Sequence, residues 1–237
     1  RDSSTSRGLG DVYKRQKLFT IICLLCMVST FSYAQNFRYG FTGGVNLSKP
    51  MGDIEPQCQA GLLLGAKGEL GIPSVTKGFY TDFGLQLSAK GYKFQYGNMV
   101  NTDERHFTEN LNYLVVPVHI GYKIECSKSV SLFANVGPYA GVALWGKHKS
   151  YRNGKKFHTE SDIFSGEYGY KRFDWGCGFN VGVEYAKHFQ LSFGADWSLM
   201  NVSKANDYTY KNRSFTFSLG YFCLLYTSPS PRDVEES

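Results

Sequence analysis

The sequence predicts an all-β protein that folds as an eight-stranded antiparallel up-and-down transmembrane β-barrel. Three observations predict it: segments that alternate apolar and polar residues, an even number of such segments, and connections that alternate between short and long. Phe173–Tyr185 shows the alternation most clearly, with its apolar residues on one face of a strand and glycines and isolated charges on the other. The apolar face carries Phe173, Trp175, Cys177, Phe179, Val181, Val183 and Tyr185. An aromatic outer face around a narrow polar lumen is typical of a barrel surrounded by lipid.

Eight segments show this two-residue period, and each exceeds the ~9–11 residues that a tilted strand needs to cross a membrane. In chain order they are residues 37–48, 59–72, 79–94, 111–124, 130–147, 173–186, 189–199 and 213–222. The second segment places Ala60, Leu62, Leu64, Ala66 and Leu70 opposite Gln59, Gly61, Gly65, Lys67 and Glu69. The third places Phe83, Leu85, Leu87 and Ala89 opposite Asp82, Gln86, Ser88 and Lys90, and the seventh places Phe189, Leu191, Phe193, Ala195 and Trp197 opposite Gln190, Ser192, Gly194 and Asp196. A soluble lipocalin-like barrel is the alternative fold, and it would bury the apolar residues instead.

The connections between these segments predict the orientation of the barrel. Those after the second, fourth and sixth segments are short, at residues 73–78, 125–129 and 187–188. Those after the odd-numbered segments are long, at residues 49–58, 95–110, 148–172 and 200–212. Because outer-membrane barrels have short periplasmic turns and longer outside loops, a periplasmic N-terminus would place the long connections outside the cell.

The two ends of the chain differ from the rest. Residues 1–16 and 224–237 lack apolar periodicity and resemble translated adapter sequence, so we exclude them from the fold. Residues 17–34 form a predicted signal peptide, because the apolar stretch is too short for a membrane-spanning helix and Ser32-Tyr33-Ala34 fits a cleavage site before Gln35. The predicted barrel domain is 35–223, exported through this signal to the outer membrane.

Composition narrows the function classes. The formal net charge of +6 is modest and dispersed, so we expect no nucleic-acid partner. A mean hydropathy of −0.30 excludes a helical membrane protein, whereas a barrel needs only every second residue to face lipid. Cys58, Cys126 and Cys177 have no metal-ligand spacing. We expect neither a metal site nor a cofactor.

Four short motifs resemble a known family. Residues 113–123 (YLVVPVHIGYK) are similar to a central strand of the PorT-like outer-membrane β-barrel family of Bacteroidetes, although Val115 stands where that family often has Glu. Residues 137–141 (GPYAG), 174–176 (DWG) and 218–222 (SLGYF) also resemble the family, so that the similarity covers about the whole predicted domain. The resemblance implies a Gram-negative outer-membrane location and, through the family's namesake, a link to a protein-secretion machine.

The polar face of the predicted strands carries charges of both signs. They are Lys67, Glu69, Asp82, Lys90, His119, Lys123, Asp174, Glu184 and Asp196. One interpretation is an ion path, as in a narrow porin-like channel, or a buried acid–base set. The favoured one is mutual neutralisation, because an eight-stranded barrel is just wide enough for its own side chains to fill it and buried charges must pair.

A small lipid-modifying enzyme of the outer membrane is the alternative in a different class. It would need a nucleophile and a histidine near the outer rim, facing lipid. His119 points inward, His188 lies in a predicted periplasmic turn, and His158 is near Ser161 and Asp162 only within a loop. Since fold alone implies no chemistry, we expect no enzymatic activity and assign no catalytic residues.

The third long connection is the candidate binding surface, because loops on a rigid barrel are where binding usually resides. It is basic and aromatic, with the candidate residues Lys147, Lys149, Tyr151, Arg152, Lys155, Lys156, Phe157, Tyr168 and Tyr170. Lysines could neutralise the phosphates of outer-membrane lipid or lipopolysaccharide, and the aromatics could dock an envelope protein. A solvated loop without a ligand is the remaining alternative. The sequence thus favours a non-enzymatic structural or binding protein.

Overall fold

The computed structural model describes residues 37–52, 57–96, 105–152, 155–160, 163–164, 169–204 and 209–223, all of them within the predicted barrel domain. These contain eleven β-strands: β1 (Phe37–Ser48), β2 (Met51–Gly52), β3 (Gln57–Gly71), β4 (Phe79–Tyr96), β5 (Arg105–Glu125), β6 (Val130–Arg152), β7 (Lys155–Glu160), β8 (Phe173–Tyr185), β9 (Phe189–Ser198), β10 (Tyr210–Lys211) and β11 (Arg213–Cys223). The predicted signal peptide and both adapter-like segments lie outside the described residues. No helix in the described part is both long and apolar enough to span a bilayer.

Eight long strands close into a ring in chain order, β1-β3-β4-β5-β6-β8-β9-β11. The ring closes between the first and last strands, which run antiparallel from the pair Tyr39 and Cys223 to the pair Ser48 and Ser214. Closure leaves no unpaired barrel edge, as a protein in hydrocarbon requires. The predicted eight-stranded antiparallel up-and-down barrel is confirmed.

The apolar face of the strands points outward. Leu62 and Leu219 have exposed fractions of 67% and 66%, and Leu64 and Leu87 are also exposed. A soluble protein rarely leaves so large an apolar surface uncovered, and the lipocalin-like alternative, which would bury these side chains, is therefore wrong.

Two belts of exposed aromatic residues bound this apolar surface. One lies near the short turns and includes Tyr39, Tyr122, Tyr185, Phe189 and Tyr221, and the other lies near the long connections and includes Trp145, Phe173 and Trp175. Tyr122 pairs with Ala134, which lies eleven residues before Trp145 on β6. That length is about 36 Å of strand and, at a tilt of about 40°, about 28 Å of membrane thickness. The belts match the two interfaces of a bilayer. We call the two ends of the barrel the short-turn end and the long-loop end.

Small residues on the lumen face make room for larger neighbours. A Cβ atom at Gly178 would lie 2.2 Å from the Asp196 carboxylate, and one at Gly182 would lie 2.6 Å from the Phe133 ring. The glycines of the polar face therefore let the lumen fill with side chains from adjacent strands, as expected for eight strands.

Two predicted loops are wrong in part, because strands continue beyond the membrane at the long-loop end. β4 runs to Tyr96 and β5 begins at Arg105, where residues 95–110 were expected to form a loop. Within the expected loop 148–172, β6 continues to Arg152 and turns back as β7. Both faces of these extensions lie outside the membrane, so their sequence lacks the apolar period that marks a membrane strand. We call β7 and the paired outer parts of β4, β5 and β6 the ribbon (residues 89–96, 105–112, 145–152 and 155–160).

Candidate functional site

A four-membered charge cluster fills the lumen at the short-turn end. Lys123 Nζ lies 2.6 Å from Glu69 Oε1 and 2.7 Å from Glu184 Oε2. Arg38 Nε donates to Glu69 Oε1 at 2.9 Å, and its Nη2 also bonds Glu184. Gln190 Nε2 donates to Glu184 Oε2 at 2.9 Å. Two cations and two carboxylates from four strands of the ring thus neutralise one another across the lumen.

A second cluster lies nearer the middle of the barrel. Lys67 Nζ lies 2.7 Å from Asp82 Oδ2, and His119 Nδ1 lies 3.6 Å from Asp82 Oδ1. These residues line a cavity of about 40 Å³, room for about three water molecules. Neither ring nitrogen of His119 has a hydrogen-bond partner among the described residues, so the cavity offers polar atoms that water can satisfy.

Asp174 anchors a third cluster toward the long-loop end, where it is fully buried. Its carboxylate accepts hydrogen bonds from Ser198 Oγ at 2.5 Å and Asn212 Nδ2 at 2.8 Å. Lys90 Nζ lies 3.7 Å from Asp174 Oδ2 and about 5 Å from the centres of the Tyr113 and Tyr139 rings, at 5.3 and 5.0 Å. The predicted mutual neutralisation is therefore confirmed for the lumen charges in these three clusters, whereas Asp196 forms no ion pair with a described residue and accepts a hydrogen bond from Ser214 Oγ at 3.5 Å.

Sequence reasoning missed one member of this network, Arg38. It lies second on β1 and shares its lumen-facing parity with Thr42 and Asn46, both of which are buried. This parity was the available signal, since polar residues at positions two apart mark the lumen face. No local sequence pattern could identify the partners of Arg38, because Glu69 and Glu184 lie 31 and 146 residues away along the chain.

An apolar and aromatic cluster, which we call the cap, lies at the long-loop end of the lumen. The buried residues of this cap are Tyr92, Leu111, Tyr113, Val115, Tyr139, Ala143, Ile163 and Phe164, with Phe94 and Tyr170 packed against them. Tyr170 N donates to Ile163 O at 3.0 Å, and Lys204 Nζ donates to Phe164 O at 2.5 Å, so two long connections fold inward together. Burial raises the pKa of Tyr170, which keeps its phenol neutral.

The ribbon is built from the outer parts of four adjacent strands. β6 pairs with β5 on one side and β7 on the other, so the ribbon continues the hydrogen-bonded sheet of the barrel. His148 Nδ1 lies 3.1 Å from Glu109 Oε1 on the inward face. On the outward face the His106 and Tyr151 rings stack with centres 4.7 Å apart. The ribbon is thus a structured sheet rather than an irregular loop.

Comparison with known proteins places the chain in a family. A family model described as "Outer membrane protein beta-barrel domain" matches residues 33–204. The chain belongs to this family. It is an outer-membrane β-barrel protein, and its closed ring and aromatic belts agree with this assignment. Among curated protein sequences, none matches it.

Several solved outer-membrane barrels resemble this family member at low identity. Ail, the attachment invasion locus protein of Yersinia pestis, is 15% identical over 78% of this chain and 98% of its own, with a TM-score of 0.37. Neisserial surface protein A is 10% identical over 77% and 96%, with a TM-score of 0.38. OprG of Pseudomonas aeruginosa is 11% identical over 80% and 95%, with a TM-score of 0.37. Likeness at this level carries no inference about ligand or activity.

The outer-membrane barrel places its candidate binding residues in different environments. Lys147, Lys155, Lys156 and Phe157 are exposed on the ribbon, and Lys149 and Tyr151 are half-buried there. Tyr170 does not join them, because its ring contacts Tyr92 in the cap with centres 6.2 Å apart. Arg152 lies on β6, and Tyr168 lies outside the described residues. The expected single loop surface is therefore corrected to an exposed ribbon and a separate inward cap.

Of the loop residues named for the enzymatic alternative, His158 alone lies among the described residues. His158 is exposed on β7, and its expected neighbours Ser161 and Asp162 lie outside the described residues. Within the described ranges, no group of three or more His, Cys, Asp or Glu side chains could hold a metal ion.

Proposed function

We propose that this outer-membrane barrel is a non-enzymatic, non-conducting binding protein that presents its ribbon to a surface ligand or an envelope partner. The observation that carries the proposal is the combination of a filled lumen and a structured basic ribbon at one end. Paired charges occupy the lumen at three levels, and the aromatic cap lies above them. A barrel built in this way offers its rigid outer end rather than a path through its centre.

The proposal places the ribbon outside the cell. The described turns after β3 and β8 are short, whereas the connections at the other end carry the ribbon and the cap. Short periplasmic turns and longer outside loops are the usual arrangement in outer-membrane barrels. Ligands of this end would therefore be outer-leaflet lipid or proteins at the cell surface.

Two features favour a protein among the partners. Phe157 on β7 is 64% exposed, and aromatic side chains are enriched at interface hot spots. The resemblance of residues 113–123 to PorT-like barrels makes components of a secretion machine the proteins to look for first. No residue of the ribbon is assigned a catalytic role in this proposal.

Photo-crosslinking in native envelopes tests the proposal. A photoreactive residue replaces Phe157 on the ribbon, and a matched control replaces Val75, which is 62% exposed on a short turn. We expect a defined adduct from position 157 that is missing from position 75. Secretion components or lipopolysaccharide among the adducts would identify the partner class.

A variant with a shortened ribbon provides a second test of the proposed function. Because Lys149 pairs with Thr159, residues 150–158 can be replaced by Asn-Gly, which favours a two-residue hairpin turn. The barrel should still fold, as judged by its heat-dependent gel mobility, and partner capture from a probe at Lys147 should be lost. Unchanged capture by the shortened protein, or no specific adduct from either ribbon position, would contradict the proposal.

A further inference from the structure

The two-residue period and the strand pairing show which residues of the ribbon lie on the same side as the lipid-facing surface of the barrel. Leu87 is exposed on that surface, and Lys93 lies six residues further on β4, on the same face by the two-residue period. Directly opposed residues of antiparallel strands share a face. Lys93 opposes Thr108, Thr108 opposes Lys149, and Lys149 opposes Thr159. Lys93 and Lys149 therefore both project from the outer face.

Two more lysines lie on this face. Asn110 is two residues from Thr108 on β5 and opposes Lys147. Tyr151, two residues beyond Lys149, opposes Lys156 on β7. The outward face thus carries Lys93, Lys147, Lys149 and Lys156, which we call the lysine band.

The height of the lysine band matches lipid headgroups. Trp145 belongs to the aromatic belt at the long-loop end and is 50% exposed. Lys147 and Lys149 follow it by two and four residues, about 7 and 13 Å along the strand, or about 5 and 10 Å along the membrane normal at a tilt of about 40°. The polar headgroup layer occupies about 5–7 Å beyond the hydrocarbon. Flexible lysine side chains can extend over this range to reach the headgroups.

Among the described residues, the lysine band has no compensating negative charge on its own face. The ribbon carboxylates Glu109 and Glu160 oppose His148 and lie on the inward face. In the part of the chain that the structure describes, none of the four lysines forms an ion pair, whereas Lys67, Lys90 and Lys123 in the lumen all do. Lys147 and Lys149 therefore lie within reach of headgroup phosphates and have no carboxylate partner among the described residues. Lys93 opposes the same residue, Thr108, as Lys149 does, and Lys156 lies one position further out on this face, opposite Tyr151.

We infer that the lysine band binds the phosphate groups of lipids in the membrane leaflet at the long-loop end. The inference rests on the proposed function and deepens it, because it assigns the outward face of the ribbon to lipid and leaves the inward face and the exposed Phe157 for a protein. Each ammonium acts as a flexible point charge, so the site selects anionic headgroups rather than one lipid structure.

Lipid titration of the refolded protein tests this inference. The full chain in a neutral detergent is titrated with phosphatidylglycerol or phosphatidylcholine, and native mass spectrometry gives the apparent Kd of the first bound lipid. We expect the wild type to prefer phosphatidylglycerol. K93Q/K147Q/K149Q/K156Q should weaken phosphatidylglycerol binding by at least about fivefold, the effect of one basic residue near an anionic surface, and leave phosphatidylcholine binding unchanged.

The control variant, K77Q/K128Q/K187Q, removes three exposed lysines at the short-turn end. It should keep the preference, and so should K147R/K149R, which retains the charge. If the fourfold variant fails to fold, K147Q/K149Q takes its place with the same expectation. Equal phosphatidylglycerol affinity in wild type and band variant, or an equal loss in the control, would overturn the inference.

The lipid titration and the crosslinking experiment can reject the lipid site and the protein partner independently of each other. Loss of lipid preference in the band variant with no ribbon adduct would reject a protein partner and keep the lipid site. Normal capture of a protein partner, together with unchanged lipid affinity in the band variant, would keep the protein partner and reject the lipid site.

Discussion

Glu184 shows how an ionised residue is accommodated inside this barrel. Its side chain is 5% exposed, and its carboxylate contacts Arg38, Lys123 and Gln190. Burial of a charge is costly unless the charge is paired and its remaining acceptors are satisfied. The same carboxylate would be destabilising if any one of its cationic partners were missing.

We expect Glu184→Gln to destabilise the barrel by about 3–5 kcal/mol, because Arg38 and Lys123 would share the single carboxylate of Glu69. Urea-dependent unfolding in lipid vesicles, followed by tryptophan fluorescence, measures the change. Glu125→Gln is the control, since Glu125 is exposed beside a short turn, and it should change stability by no more than about 0.5 kcal/mol. Equal effects of the two substitutions would show that the lumen network contributes nothing specific.

At the scale of elements, the ribbon depends on contacts between strands that lie beyond the aromatic belt. His148 on β6 contacts Glu109 on β5, and Glu160 on β7 opposes it. The hydrogen bond that His148 donates to the Glu109 carboxylate raises the pKa of His148 above its ordinary value. A protonated His148 is therefore stabilised by the folded ribbon.

This contact predicts a pH-dependent ribbon. Because the folded-state pKa is raised, the stabilisation is complete below the unfolded value of about 6.5 and is lost as the pH rises through the folded value. Hydrogen exchange at the amides of residues 147–151, corrected for intrinsic rates, should reveal easier opening at higher pH. His148→Gln should remove that dependence, whereas His188→Gln at the short-turn end should not. A pH-independent ribbon in the wild type would contradict the prediction.

At the scale of the whole molecule, the ring of eight strands encloses a filled interior. Ion pairs occupy it from Arg38 near the short-turn end to Lys90 and Asp174 below the cap, with a cavity of only about 40 Å³ near His119. Such a volume holds about three waters and offers no continuous aqueous path by itself.

We expect no stable single-channel conductance from the refolded barrel in planar bilayers. The physical reason is that moving an ion through would require separating paired buried charges as well as opening the cap. A wide porin refolded in the same lipid serves as the positive control. Reproducible conductance steps that depend on the concentration of this protein would overturn the non-conducting part of the proposed function.

The sequence by itself determined the number of barrel strands and the face that meets lipid. Both follow from the two-residue period, which Phe173–Tyr185 shows. This period can be recognised from neighbouring residues alone, because side chains of a strand alternate between its two faces. It also placed Lys67, Asp82 and Lys123 in the lumen, where the structure has them. The apolar period ends where lipid ends, so the extensions of β5 and β6 over residues 105–110 and 148–152 could not be recognised in the same way.

Only the tertiary structure decided which side chains meet. The contacts of Arg38 with Glu69 and Glu184 depend on ring closure and on the register of each strand pair, which bring distant residues to one height. The separation of Tyr170 from the exposed ribbon residues depends on a connection that folds inward onto Tyr92. No short-range pattern encodes either arrangement, because each is selected by burial and pairing across the closed barrel.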